Sequence, residues 1–174
     1  TQSAPNMDRG RNSTGMITMQ LLLLRHGKSS WDDASVEDAD RPLNERGIRA
    51  AATIGQHLLK HGPMPALALC SPARRARETW ANEVYDFGDG EQLLEAIRRE
   101  GASHSPLLLI GHNPSLEGLA IGLCDRDSGK LRSRMEKKYP TATLTLFEVN
   151  AGDWSQLAYG MGRCTDFVRP KDLD

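Results

Sequence analysis

Short, uniformly apolar runs separated by longer amphipathic stretches form the dominant pattern of this chain. Leu21-Leu22-Leu23-Leu24 lies in the first run (19–24), the second covers 66–70, and Pro106-Leu107-Leu108-Leu109-Ile110 is the third. Each is too short for an ordinary helix and is followed by polar or turn-forming residues, so all three predict strands buried on both faces. Between them the apolar positions recur at helical spacing. Asn44 is a plausible N-cap for a helix to about residue 61, with Ala50, Ala51, Ile54, Leu58 and Leu59 on one stripe and Gly62-Pro63 as its stop. Ser71-Pro72 opens a helix to about 82, and another covers 92–100. Asn113 as N-cap with Pro114 at the first helical position predicts a helix to about 123. A basic surface helix is expected over 128–138. Residues 141–149 alternate as a strand, 150–153 turn, and 154–159 are expected to return as its antiparallel partner.

Strands alternating with helices predict an α/β fold, a three-layer α/β/α sandwich whose central sheet is mostly parallel and becomes mixed through the final hairpin. Residues 1–18 are polar and aperiodic and read as a flexible leader or expression remnant, with Met16 or Met19 as alternative natural starts. Residues 19–174 then form one domain, and 28–43 an acidic, exposed loop.

Composition narrows the function classes. The 174 residues carry a net charge of −1, and the pI near 6.5 gives no general attraction to nucleic acid or membranes. No apolar stretch reaches membrane-spanning length, and the N-terminus lacks the apolar core of a signal peptide. Cys70, Cys124 and Cys164 are scattered and odd in number, which suits reduced thiols in a cytoplasmic protein. No metal-ligand spacing is present, and no cofactor is implied.

The chemistry gathers where strands end. The first run ends in Arg25-His26-Gly27, the second is followed by Ser71-Pro72-Ala73-Arg74-Arg75, and the third by Gly111-His112-Asn113. If the three strands are parallel neighbours, their carboxyl ends converge on one patch with two imidazoles and at least two guanidiniums. Such a cluster is costly unless an anion occupies it, and phosphate matches the guanidinium fork. His57, His61 and His104 lie on a helix or in a polar loop and read as ordinary surface residues. Arg74 and Arg77 read as solvated or paired with Glu78, and Ser71 as a cap for the following helix.

Arg25-His26-Gly27-Lys28-Ser29-Ser30-Trp31, Asp40-Arg41-Pro42-Leu43, Ser71-Pro72-Ala73-Arg74-Arg75-Ala76-Arg77-Glu78-Thr79, Gly111-His112-Asn113-Pro114 and Phe167-Val168-Arg169-Pro170 occur in this order. Together they resemble the histidine phosphatase (phosphoglycerate mutase-like) superfamily, and within it the SixA-type phosphohistidine phosphatases, over about residues 20–173. The resemblance implies a metal-independent hydrolase of phosphohistidine or phosphomonoesters. His26 would be the nucleophile that becomes phosphorylated, Arg25 and Arg75 the clamp on the phosphoryl oxygens, and His112 a further donor, cationic beside the phosphoryl group. Arg41 would add a phosphate contact and Lys28 a contact near the leaving group. Superfamily members commonly use a carboxylate as general acid, and Asp86, just after Tyr85, is the candidate here. The stretch after Glu83 is short against that pattern, as a trimmed edge strand or an omitted segment would make it. The expected partner is a phosphorylated protein or a small phosphate ester. The alternatives are a sugar or nucleotide phosphatase and a non-catalytic phosphate-binding adaptor.

Overall fold

A computed structural model describes residues 18–80 and 90–173. It contains a five-stranded sheet in the order β2-β3-β1-β4-β5. These strands are β1 (Thr18–Arg25), β2 (Leu67–Cys70), β3 (Leu107–Gly111), β4 (Leu144–Asn150) and β5 (Gly162–Val168). β1 and β2 both run parallel to β3, whereas β4 pairs antiparallel with β1 and β5 with β4. The sheet is therefore mixed, as the alternating pattern predicts.

The apolar runs are continuous because successive side chains face opposite layers, and both layers are covered. Leu22, Leu24, Leu108 and Ile110 pack with Ile54 and Leu58 of helix α1 (Glu45–His61) and Ala76 of α2 (Arg74–Thr79). Leu21, Leu23, Leu107 and Leu109 face the other way, onto α3 (Gly90–Glu100), α4 (Ser115–Leu123) and Met135 of α5 (Gly129–Lys137). A strand slipped by one residue would exchange the two sets, so register is tightly specified.

Two element predictions change. The strand opposite β4 is Gly162–Val168, while Trp154–Gln156 is a short 3₁₀ helix. Residues 154–159 alternate like a strand, but the Asp153 side chain accepts from the Ser155 N–H at 2.8 Å and starts a turn. The Trp154 indole is fully buried, donating to the His104 carbonyl at 2.6 Å. Asn113 also does not cap α4. Its amide donates to Glu117 Oε2 at 2.7 Å and to the Tyr139 carbonyl at 3.2 Å, and Pro114 occupies the cap position. By contrast Asn44 caps α1 as expected, accepting from the Gly47 N–H at 2.9 Å.

The helix after β2 begins at Arg74, with Ala73 at its cap position, so Ser71 is not its cap. Residues 81–82 of the predicted helix, the leader up to residue 17 and the stretch from Glu83 through Asp86 lie outside the described residues.

Candidate active site

Sheet register assembles the site. Leu24 is level with Ile110 and Arg25 with Gly111, so His26 and His112 leave neighbouring parallel strands side by side. Cys70 is level with Ile110 on the other flank of β3, which brings Ser71 alongside. The His26 and His112 rings are 4.8 Å apart between centroids. The His112 Nε2 and Ser71 Oγ are hydrogen-bonded at 2.6 Å.

Each candidate side chain has its own anchorage. The loop after β1 presses against the start of α1, and glycine is required on both sides of that contact. A Cβ on Gly47 would fall 2.2 Å from the Lys28 carbonyl oxygen, and one on Gly27 would fall 2.8 Å from that of Gly47. The Thr79 hydroxyl accepts from the Gly27 N–H at 3.0 Å and donates to the Arg75 carbonyl at 2.6 Å. It thereby ties the helix that carries Arg75 to the loop that carries His26. Glu78 adds a second tie, accepting from the Leu43 N–H at 2.6 Å while pairing with Arg74 at 2.7 Å. The Arg25 guanidinium donates to the Tyr139 carbonyl at 2.5 Å, the same oxygen that Asn113 reaches.

The His26 ring has a defined tautomer. Its Nδ1 lies 2.6 Å from the Gly27 carbonyl oxygen, which can only accept, so Nδ1 carries the hydrogen and Nε2 keeps its lone pair. Burial is the main reason that the ring's pKa falls to about 3, with His112, Arg75 and Arg25 adding to the effect. His112 is lowered to about 4, by burial first and then by Arg75, with Asp38 opposing. With protein groups alone around them, both rings are neutral at pH 7. The expected cationic His112 thus requires an anion beside it to outweigh burial. Burial also lowers the pKa of Arg25.

Three further observations concern donors. Arg25 Nε, Arg41 Nε and His112 Nδ1 are buried without a hydrogen-bond partner among the described residues. Arg75 is bonded to the Asp38 carbonyl and to its carboxylate, the latter at 2.9 Å. Arg41 stacks on Trp31 at 4.1 Å from the ring centroid and lies 3.8 Å from the Asp38 carboxylate. Asp38, Ser71, Thr79 and Tyr139 thus contact the candidate residues in ways that the motifs did not single out. Ser71 and Thr79 lie within a quoted motif and Asp38 in the acidic loop before Arg41, whereas nothing in the sequence pointed to Tyr139. Lys28 lines a groove beside the His26 loop, and Asp86 is outside the described residues.

The neutral rings predict how stability varies with pH. Unfolded imidazole titrates near 6.5, whereas His26 and His112 in the folded chain titrate near 3 and 4. Between those values the unfolded chain binds more protons. Their contribution to stability is therefore full above about pH 6.5 and is lost as pH falls toward 4 and then 3. Thermal melts at decreasing pH should show this decline, at most about 1.4 kcal/mol per pH unit for each ring. A His26→Gln/His112→Gln protein should have a flatter profile.

Among the described residues, no helix is long and apolar enough to cross a membrane. No group of three or more His, Cys, Asp or Glu side chains is gathered as a metal site among them.

Residues 21–84 match the model of the histidine phosphatase superfamily (branch 1), a span that includes His26, Arg41 and Arg75. The uncharacterized protein Rv1276c of Mycobacterium tuberculosis is 33% identical over 161 residues, 85% of this chain and 100% of that protein. A proposed phosphohistidine phosphatase SixA from Nakamurella multipartitia superposes with a TM-score of 0.77 at 24% identity, covering 88% of this chain and 96% of that one. A protein histidine phosphatase SixA solved with tungstate superposes at 0.68 with 21% identity, covering 90% and 100%. The relative aligned over its whole length, the family match and the shared fold lead to one conclusion: this chain belongs to the histidine phosphatase superfamily, branch 1.

Proposed function

We propose that the protein hydrolyses phosphohistidine or phosphomonoester substrates through a phosphorylated His26. The observation that carries this reading is the His26 ring itself, held neutral with Nδ1 protonated and Nε2 bearing a free lone pair. A nitrogen nucleophile needs that state, and a free imidazole reaches it only in part near pH 7.

In the proposed first step Nε2 attacks phosphorus opposite the leaving group. The N–P bond forms, the bond from phosphorus to the leaving atom breaks, and the leaving group departs with its electron pair and takes up a proton. In the second step water attacks the phosphohistidine, the N–P bond breaks back onto Nε2, and inorganic phosphate is released. Charge on the phosphoryl oxygens is met by Arg25, Arg75 and Arg41, whose buried Nε atoms include two unpartnered donors. His112 supplies a third through Nδ1. Phosphoryl transfer depends chiefly on positioning and electrostatic stabilisation, which a ring of fixed donors supplies. A bound phosphoryl group raises the pKa of His112 and turns it into the cationic donor that the reaction uses. The Asp38 carboxylate accepts from the Arg75 guanidinium at 2.9 Å, so a phosphoryl oxygen binding the same nitrogen would compete with it.

The test is trapping. Mixing the protein with an aryl phosphate or phosphoramidate and quenching in alkali, where phosphohistidine survives, should leave one phosphoryl group on the peptide that contains His26. Turnover with no label, or with the label on another residue, would contradict the reading.

A further inference from the structure

A groove of about 140 Å³ opens beside the His26 loop, and five cations line it: Lys28, Arg46, Lys138, Arg169 and Lys171. No carboxylate is among its lining residues. Arg169 is held by Asp172 at 2.7 Å. Lys28, Arg46, Lys138 and Lys171 are exposed and have no ion pair among the described residues. The neighbouring acids are already engaged, Glu45 by Arg49 and Asp172 by Arg169 and Arg134. On a chain with a net charge of −1 this is a local concentration of positive charge.

The groove adjoins the reaction centre through the backbone. Lys28 follows His26 by two residues. Lys138 precedes Tyr139, whose carbonyl accepts from Arg25. Thr141, also in the lining, precedes Ala142, whose N–H donates to the His26 carbonyl at 3.0 Å. The segments that hold His26 and Arg25 therefore also form walls of the groove.

We propose that this groove docks an acidic segment of a phosphorylated protein while the phosphoryl group occupies the His26 site. This rests on the phosphatase reading above and names its substrate class. The cations come from four separate stretches of chain, and all but Arg169 are exposed. Exposed side chains of this kind differ from the buried, converging donors that a second phosphate of a small molecule would require. Spread positive charge suits several carboxylates along a peptide, and Ala50 and Pro140 add apolar surface for its backbone and side-chain carbons. Rim charges of this kind act mainly on encounter and salt dependence.

The experiment compares kcat/KM for two phosphohistidine peptides of equal length, one flanked by Asp and Glu, the other by Asn and Gln, with an aryl phosphate as reference. The acidic peptide should be favoured by about tenfold at low salt, a few exposed pairs acting together. That preference should shrink as salt rises. Substituting Arg46→Gln, Lys138→Gln and Lys171→Gln together should abolish it while leaving aryl phosphate turnover within about twofold. The same triple change to Glu should reverse the preference.

Equal kcat/KM for the two peptides would overturn the docking proposal. So would aryl phosphate turnover without hydrolysis of either peptide, or competition by an oligonucleotide as strong as that by the acidic peptide. The phosphatase reading survives all three outcomes. A wild-type protein that hydrolyses no phosphorylated compound would remove that reading, and the docking proposal with it.

Discussion

Replacing His26 with alanine is expected to lower kcat/KM for an aryl phosphate by about 10⁴-fold or more, the scale seen when a covalent nucleophile is removed. Two features of the site make the loss large. Nε2 is the nitrogen left without a proton, because Nδ1 donates to the Gly27 carbonyl. His112 lies 4.8 Å away between ring centroids, but its Nε2 is bonded to Ser71. Its Nε2 is therefore held by a partner, whereas that of His26 is free. The fold should survive. His26 is 8% exposed, and its loss removes a neutral ring that is hydrogen-bonded to its own neighbour. A variant that keeps its thermal transition and loses its turnover separates chemistry from folding. Retained turnover in a folded His26→Ala protein would exclude His26 as the nucleophile.

Arg75→Ala should cost about 10³-fold in kcat/KM, comparable to other guanidiniums that stabilise a transferring phosphoryl group. Arg75→Lys should recover only part of this, since an ammonium supplies a point charge in place of a planar fork. The prediction is specific because Arg75 is anchored on two sides. Its carbonyl is tied through Thr79 to the Gly27 N–H, and its guanidinium is bonded to Asp38. The Asp38 contact contributes little to stability, being a pair with an exposed carboxylate. The loss should therefore fall on activity, with a thermal transition close to that of the unsubstituted protein. An effect confined to KM would mean that Arg75 binds ground state and transition state equally. An effect on kcat as well is expected if it follows the charge that develops on the phosphoryl oxygens.

The legible parts of this molecule are those in which local pattern and tertiary environment agree. Leu21 to Leu24 and Leu107 to Ile110 read as doubly buried strands, and they are, because helices cover both faces. Asn44 caps α1 as its local chemistry predicts, its side-chain oxygen accepting from the Gly47 N–H. Where tertiary partners compete, local signals mislead. Asn113 has the chemistry of a cap, but its NH2 group is held by Glu117 and the Tyr139 carbonyl, and its Oδ1 accepts no hydrogen bond among the described residues. Residues 154–159 alternate like a strand, yet burial of Trp154 against the His104 carbonyl turns their start into a 3₁₀ helix. Ser71 has the chemistry of a cap, but the strand register directs its hydroxyl to His112.

Identity and order of residues alone determine that this chain has Arg25-His26, Arg75 and His112 at the ends of three apolar segments, and so that an anion site is worth seeking. Spacing along the chain carries no information on whether those ends meet. That depends on the parallel register of β1 and β2 against β3, which sets Arg25 beside Gly111 and Cys70 beside Ile110. Burial then decides protonation, since the same imidazoles exposed to water would be partly charged at neutral pH. The cationic groove and the Asp38 contact are likewise products of folding, because they join residues from segments far apart in the chain.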